Sequence, residues 1–177
     1  MKHVTIKVYP YSELSETAQE RAREWFIGDG CWHWGDEWWQ SAQEFSDIAP
    51  IEILSADYNR AEVEVSWSED TETSELSGLR AWKWLQNNGW FELAAQNAKG
   101  GCTLTGYCGD CPLFDPLQEY ARAPLSVPSL EQVFYECAQA WVFQASGDLD
   151  YCQSEEYIAE SMATNGFEFT ESGDFWG

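Results

Sequence analysis

Residues 51–67 read Ile51-Glu52-Ile53-Leu54-Ser55-Ala56-Asp57-Tyr58-Asn59-Arg60-Ala61-Glu62-Val63-Glu64-Val65-Ser66-Trp67, and how they fold decides the class of the chain. Two runs enriched in β-branched and aromatic residues flank Asn59-Arg60, the pattern of a β-hairpin with strands over 51–58 and 61–67. The second strand alternates strictly, with Val63, Val65 and Trp67 facing in and Glu62, Glu64 and Ser66 facing out. A two-stranded ribbon with one apolar face is not stable alone and needs a cover. Helical periodicity on both sides supplies one. Upstream, a helix runs from about Trp32 to Ile48, before Pro50. Its inward positions are Trp34, Trp38, Ala42, Phe45 and Ala49, and Glu37, Gln40, Glu44 and Asp47 form an outer stripe at three- and four-residue intervals. Downstream, Leu76 to Asn88 is helical and closes at Gly89, and Trp90 to Ala98 makes a second, shorter helix.

The remaining segments extend this picture. His3 to Tyr9 alternates as a strand closed by Pro10, and a helix starting at Ser12 or Ser15 runs to about Ile27. Asp70 to Ser74 reads as a polar loop, Cys102 to Tyr107 as a strand, and residues 113–122 as a short helix ended by Pro124. Ser129 with Gln132 forms a capping box for a helix over 130–146 whose buried face is Leu130, Val133, Phe134, Cys137, Trp141 and Ala145. Ser154 caps a helix over 155–165, and Phe167 to Thr170 is a last short strand. No segment has linker composition and no internal repeat occurs. The expectation is a single α+β domain over residues 1–177, a small antiparallel sheet covered by several helices.

The chain has 177 residues, 31 Asp plus Glu against 9 Lys plus Arg, and a formal net charge of −22. With 44% hydrophobic and 16% aromatic residues it is too apolar for a disordered acidic tail. No apolar run approaches the roughly 20 residues of a membrane span, and the start leads into strand-like sequence, so the expectation is a cytoplasmic protein without a membrane partner. A surface this negative repels phosphates, which argues against direct nucleic-acid binding. The charge is also poorly mixed. No Lys or Arg follows Arg122, and the stretches 24–59 and 61–79 hold acids without a basic residue. Such self-repulsion lowers stability, so its persistence points to a use. A compact chain of this length is roughly 40 Å across, and about 22 duplex phosphates occupy ~37 Å of DNA axis. Solubility alone is the plainer explanation of the same numbers.

The residue types that carry chemistry are sparse. Six cysteines occur, and Cys108-Gly109-Asp110-Cys111 has the spacing of half a zinc site or of a redox pair. No second Cys-x-x-Cys or His-x-x-x-His accompanies it, and His3 and His33 are remote, so reduced, partly buried thiols are expected and no metal or other cofactor. In Trp32-His33-Trp34-Gly35-Asp36-Glu37-Trp38-Trp39, helical spacing sends Trp34 and Trp38 to the core. That leaves Trp32 and Trp39 as candidate partner contacts. Asp148-Leu149-Asp150-Tyr151-Cys152 opens like a calcium loop but lacks its glycine and its closing glutamate. No nucleotide, hydrolase or zinc-protease motif is present, and the chain reads as a non-enzyme.

Three places together resemble a known group: Val4-Thr5-Ile6-Lys7-Val8-Tyr9 with Leu14-Ser15-Glu16-Thr17-Ala18-Gln19-Glu20-Arg21-Ala22, then Thr105-Gly106-Tyr107-Cys108-Gly109-Asp110, then Asn165-Gly166-Phe167-Glu168-Phe169-Thr170-Glu171-Ser172-Gly173. The chain is similar to a widespread group of small acidic bacteriophage and prophage proteins, mostly uncharacterised, some labelled as the antitoxin of a toxin–antitoxin system. Residues 59–100 fall outside the resemblance, and Cys111 departs from the group's pattern, which tells against a family-wide metal site. What the resemblance implies is a phage setting, in which small acidic proteins imitate DNA towards CRISPR and restriction complexes.

The expected function is therefore a non-enzymatic inhibitor that occupies a basic DNA-binding groove of a host defence complex. Its expected contact residues are the stripe Glu37, Glu44 and Asp47 and the C-terminal set Glu155, Glu156, Glu160, Glu171 and Asp174. Glu155 and Glu156 equally suit the first turn of a helix, where acids complement the dipole. The alternatives are an antitoxin-like neutraliser anchored by Trp32 or Trp39, and a small zinc-dependent or carbohydrate-active enzyme.

Overall fold

In the computed structural model, residues 6–30, 35–68 and 70–177 are described. The elements in chain order are β1 (Val8–Pro10), α1 (Glu16–Trp25), α2 (Gly35–Ile48), β2 (Ile51–Asp57), β3 (Glu62–Trp67), α3 (Thr71–Ser74), α4 (Gly78–Asn87), α5 (Trp90–Asn97), α6 (Asp115–Arg122), α7 (Leu130–Cys152), α8 (Glu155–Asn165) and β4 (Glu168–Thr170). The protein is mixed α+β, with helices packed against two small antiparallel ribbons, β1–β4 and β2–β3. It divides into two compact units, one of residues 1–33 with 148–177 and one of residues 34–147.

In the first unit, β1 pairs with β4 in the register Val8↔Thr170, Tyr9↔Phe169, Pro10↔Glu168. Leu14, Ala18, Ala22, Phe26, Ile158, Met162 and Phe169 form its core, contributed by α1 and the residues flanking it, α8 and β4. Trp25 stacks on Phe175 with ring centroids 3.9 Å apart and meets Phe167 and Phe169 edge-on. Gly173 has φ +86°, and a Cβ there would stand 2.2 Å from the Ala18 carbonyl oxygen, so the chain passes α1 only because this residue is glycine. Both helices start as the sequence implies. The Ser15 hydroxyl accepts from the Ala18 N–H and the Ser154 hydroxyl from the Tyr157 N–H. Replacing Ser154 by alanine orphans that N–H, and the expected cost is about 1 kcal/mol, read as a melting-temperature drop of roughly 3 °C by circular dichroism.

In the second unit, β2 and β3 pair antiparallel from Ile51↔Trp67 to Asp57↔Glu62, with a bulge between Ile53 and Ser55 at which Leu54 and Ser55 are both exposed. Val63, Val65 and Trp67 pack against the core, and Glu62 and Glu64 are exposed, as the alternation requires. On α2, Trp38, Ala42 and Phe45 are buried; on α7 the whole expected face from Leu130 to Ala145 is buried. The Ser129 hydroxyl accepts from the Gln132 N–H at the start of α7.

Three segments depart from expectation. Asp70 to Ser74, read as a loop, contains the one-turn α3, because the Asp70 carboxylate accepts from the Thr73 N–H and hydroxyl; these bonds hold its pKa below the usual range. Cys102 to Tyr107, read as a strand, is a loop: the N–H groups of Leu104 and Thr105 are taken by a side chain, leaving no ladder to form. Finally, α7 continues through Cys152, six residues past its expected end, so the calcium-loop-like stretch is helical. Residues 3–5 of the expected first strand lie outside the described residues.

Candidate functional site

The expected stripe stands on α2, and the chain's path determines what lies beside it. Only Ala49 and Pro50 separate α2 from β2, so the strand must return along the helix it follows. Ser46 fixes the approach: its hydroxyl donates to the Ala42 carbonyl at 2.9 Å and accepts from the Ile53 N–H at 3.0 Å. A groove of about 660 Å³ remains between the two elements, with Trp39, Glu44 and Asp47 on the helix side and Glu52 and Leu54 on the strand side. Trp39 is half-buried; its ring meets that of Trp141 at a tilt, with centroids 6.3 Å apart, and it borders the groove.

The groove therefore unites three expected contact residues, Trp39, Glu44 and Asp47. Glu37 lies two turns earlier on α2, about 10.5 Å along the axis from Glu44, and is half-buried outside the groove. Trp32 lies outside the described residues. Glu52, Glu62 and Glu64 were not among the expected contacts, although the strand alternation carries the signal that exposes them. They extend the acidic surface across the hairpin. Cross-strand pairs normally set opposite charges together, yet here Asp57 faces Glu62 directly and Glu64 faces Ser55, whose hydroxyl donates to it at 3.1 Å. Arg60, in the turn, is the first basic residue after Arg23 and lies 3.7 Å from Asp57. No Lys or Arg stands among the described residues of α2, β2 or β3.

The C-terminal candidates belong to the first unit and are differently placed. Asp174 pairs with Arg21 at 2.6 Å, and Glu155 pairs with Arg23 at 2.9 Å in the first turn of α8. These carboxylates are partly neutralised within the unit. Exposed pairs of this kind contribute about 0–1 kcal/mol. Glu156 and Glu160 are exposed one turn apart on α8, and Glu171 borders a shallow depression with Glu20, Arg21 and Glu24.

Elsewhere in the second unit, burial and the charge of Asp36 push the Tyr58 hydroxyl up to about 12. Burial, with the hydrogen bond to Glu136, likewise raises Tyr120. Neither tyrosine is poised to exchange a proton near neutral pH. Cys108 is exposed and Cys111 half-buried; among the described residues no group of three or more His, Cys, Asp or Glu side chains is arranged to hold a metal ion. No helix among the described residues is long and apolar enough to cross a membrane. Comparison of the chain with family models, curated proteins and solved structures gives no match.

Proposed function

We propose that the protein is a non-enzymatic inhibitor, acting in the cytoplasm of a phage-infected bacterium, whose acidic surface takes the place of duplex DNA in the basic groove of a CRISPR or restriction complex. The observation that supports this reading is the α2–hairpin face: Glu44, Asp47, Glu52, Glu62 and Glu64 exposed on regular elements with no basic residue among them. Helices and strands hold carboxylates with little freedom, so less entropy is lost on binding than for a flexible acidic tail. Glu44 and Asp47 rise about 4.5 Å apart along the helix, close to the ~3.4 Å per charge of one DNA strand. A Lys/Arg groove is drawn to such a surface by long-range steering, and the attraction weakens as salt is added.

The test is a fourfold substitution, Glu44→Lys, Asp47→Lys, Glu52→Lys and Glu64→Lys, on exposed positions. Bacteria with an active restriction or CRISPR system, expressing the wild-type protein, are expected to plate a sensitive phage at least 10-fold better than cells expressing the variant. The variant's thermal stability is expected to hold or rise, because like-charge repulsion is relieved. Equal plating by both proteins rejects the reading. Trp39 at the groove wall favours a second reading, an aromatic-anchored neutraliser of one basic protein. In that case Trp39→Ala abolishes protection while the fourfold variant retains it.

A further inference from the structure

The connection between α5 and α6 carries Cys102 in irregular backbone and Cys108 and Cys111 in a 3-10 helix over Cys108–Phe114. Its geometry is set by Asp110, whose carboxylate accepts from the N–H groups of Leu104 and Thr105 and from the Thr105 hydroxyl, each at 2.8 Å. These bonds close residues 104–110 into a clamp, and the residues just outside its two ends are drawn together. Those residues include Cys102 and Cys111, whose thiols are close enough to interact. The Asn97 side-chain amide donates to the Cys111 carbonyl at 3.3 Å and holds that side of the pair on α5. Both thiols are half-buried, and Cys108 is exposed.

We propose that Cys102 and Cys111 form a reversible disulfide that staples this loop, made by exchange with a low-molecular-weight disulfide of the glutathione type. The Cys102 thiol loses its proton and attacks one sulfur of oxidised glutathione; a mixed disulfide forms and one glutathione leaves as its thiolate, taking up that proton. The Cys111 thiol then loses its proton and attacks the Cys102 sulfur, displacing the second glutathione. Two protein thiols are oxidised and one disulfide is reduced to two thiols. Burial, and next to it the neighbouring Cys102, hold the Cys111 thiol above its ordinary pKa. In a reducing cytoplasm such a pair cycles and is not a permanent brace.

The staple bears on the acidic face. Thr105 gives its only hydroxyl proton to Asp110, so the 3.2 Å contact between Thr105 and Ser41 has Ser41 of α2 as donor. Gly109 lies so close to α2 that a Cβ would stand 2.9 Å from the Ser41 oxygen. Oxidation thus firms the segment that braces the helix carrying Glu44 and Asp47.

The test equilibrates the full chain with oxidised and reduced glutathione at graded ratios, native and in urea, followed by alkylation and digestion. Chymotrypsin after Tyr107 and an Asp-specific protease before Asp110 leave the three cysteines on separate fragments. The expected product is Cys102 linked to Cys111, in the wild type and in Cys108→Ser alike. Preorganised thiols have a higher effective concentration than chain ends, so the native equilibrium constant is expected to exceed that in urea by at least ~10-fold. The oxidised protein is expected to melt about 5 °C higher. A Cys108–Cys111 link as the main product, equal constants in the native and unfolded chain, or no link at all overturns the proposal.

Discussion

Phe134→Ala is expected to destabilise the second unit by about 4 kcal/mol, near the upper end for single core truncations. Phe134 is fully buried on α7. Its ring meets Trp90 edge-on at 4.8 Å and lies 6.3 Å from each of Phe45, Trp67 and Trp84. Those four partners come from α5, α2, β3 and α4, so one side chain joins four elements. Removing it deletes the transfer free energy of the ring and leaves a void that rigid indoles on several sides cannot collapse into. With a urea dependence of about 2 kcal/mol per molar, the unfolding midpoint shifts by roughly 2 M, read by near-ultraviolet circular dichroism. Phe134→Leu fills most of the space and loses the edge-to-face contacts, and about 1.5 kcal/mol is expected. A Phe134→Ala midpoint within 0.5 M of wild type, about 1 kcal/mol, would show that the four elements do not depend on this ring.

Much of this arrangement was legible in the sequence where periodicity and capping agreed. The buried face of α7, the hairpin and the caps at Ser15, Ser129 and Ser154 stand where the residue pattern puts them. Two of the three misreadings share one physical cause. Cys102 to Tyr107 alternates like a strand, but its backbone donors are captured by a carboxylate several residues ahead, and a local pattern does not reveal which acid will turn inward. Asp70 is the same effect in small: a side-chain acceptor converts a polar loop into a helical turn. The candidate site was partly legible. The outward spacing on α2 identified Glu44 and Asp47, and the alternation of β3 already exposed Glu62 and Glu64. That the helix and β2 would enclose a groove depends on the short Ala49-Pro50 connection and on the Ser46 bonds, which are tertiary facts. The pairing of Asp174 and Glu155 with arginines is tertiary too: Arg21 and Arg23 are more than 120 residues away along the chain.

Asp110→Ala is expected to cost the second unit about 3 kcal/mol, more than any exposed acid could. Asp110 has no exposed surface and is satisfied by three donors. Its role is inverse to that of Glu44 or Asp47. Truncation leaves the Leu104 and Thr105 N–H groups without acceptors, and the loop must either bury them unpaired or open to water. Opening is the expected outcome, since residues 100–108 lack other ladder bonds. Amide exchange at Leu104 and Thr105 is then expected to accelerate at least 100-fold, with the amides of α7 little changed. Asp110→Asn retains the volume and one acceptor but presents an N–H₂ to a donor, and about 2 kcal/mol is expected. Thr105→Ala removes one of the same bonds, so the double substitution with Asp110→Ala should cost less than the two singles together by about 1 kcal/mol. Full additivity would show that the two residues act separately. Because the clamp also brings Cys102 to Cys111, Asp110→Ala should erase the native advantage in disulfide formation while leaving the constant in urea unchanged. A loss confined to the folded chain identifies the clamp, and not the thiols alone, as the source of their proximity.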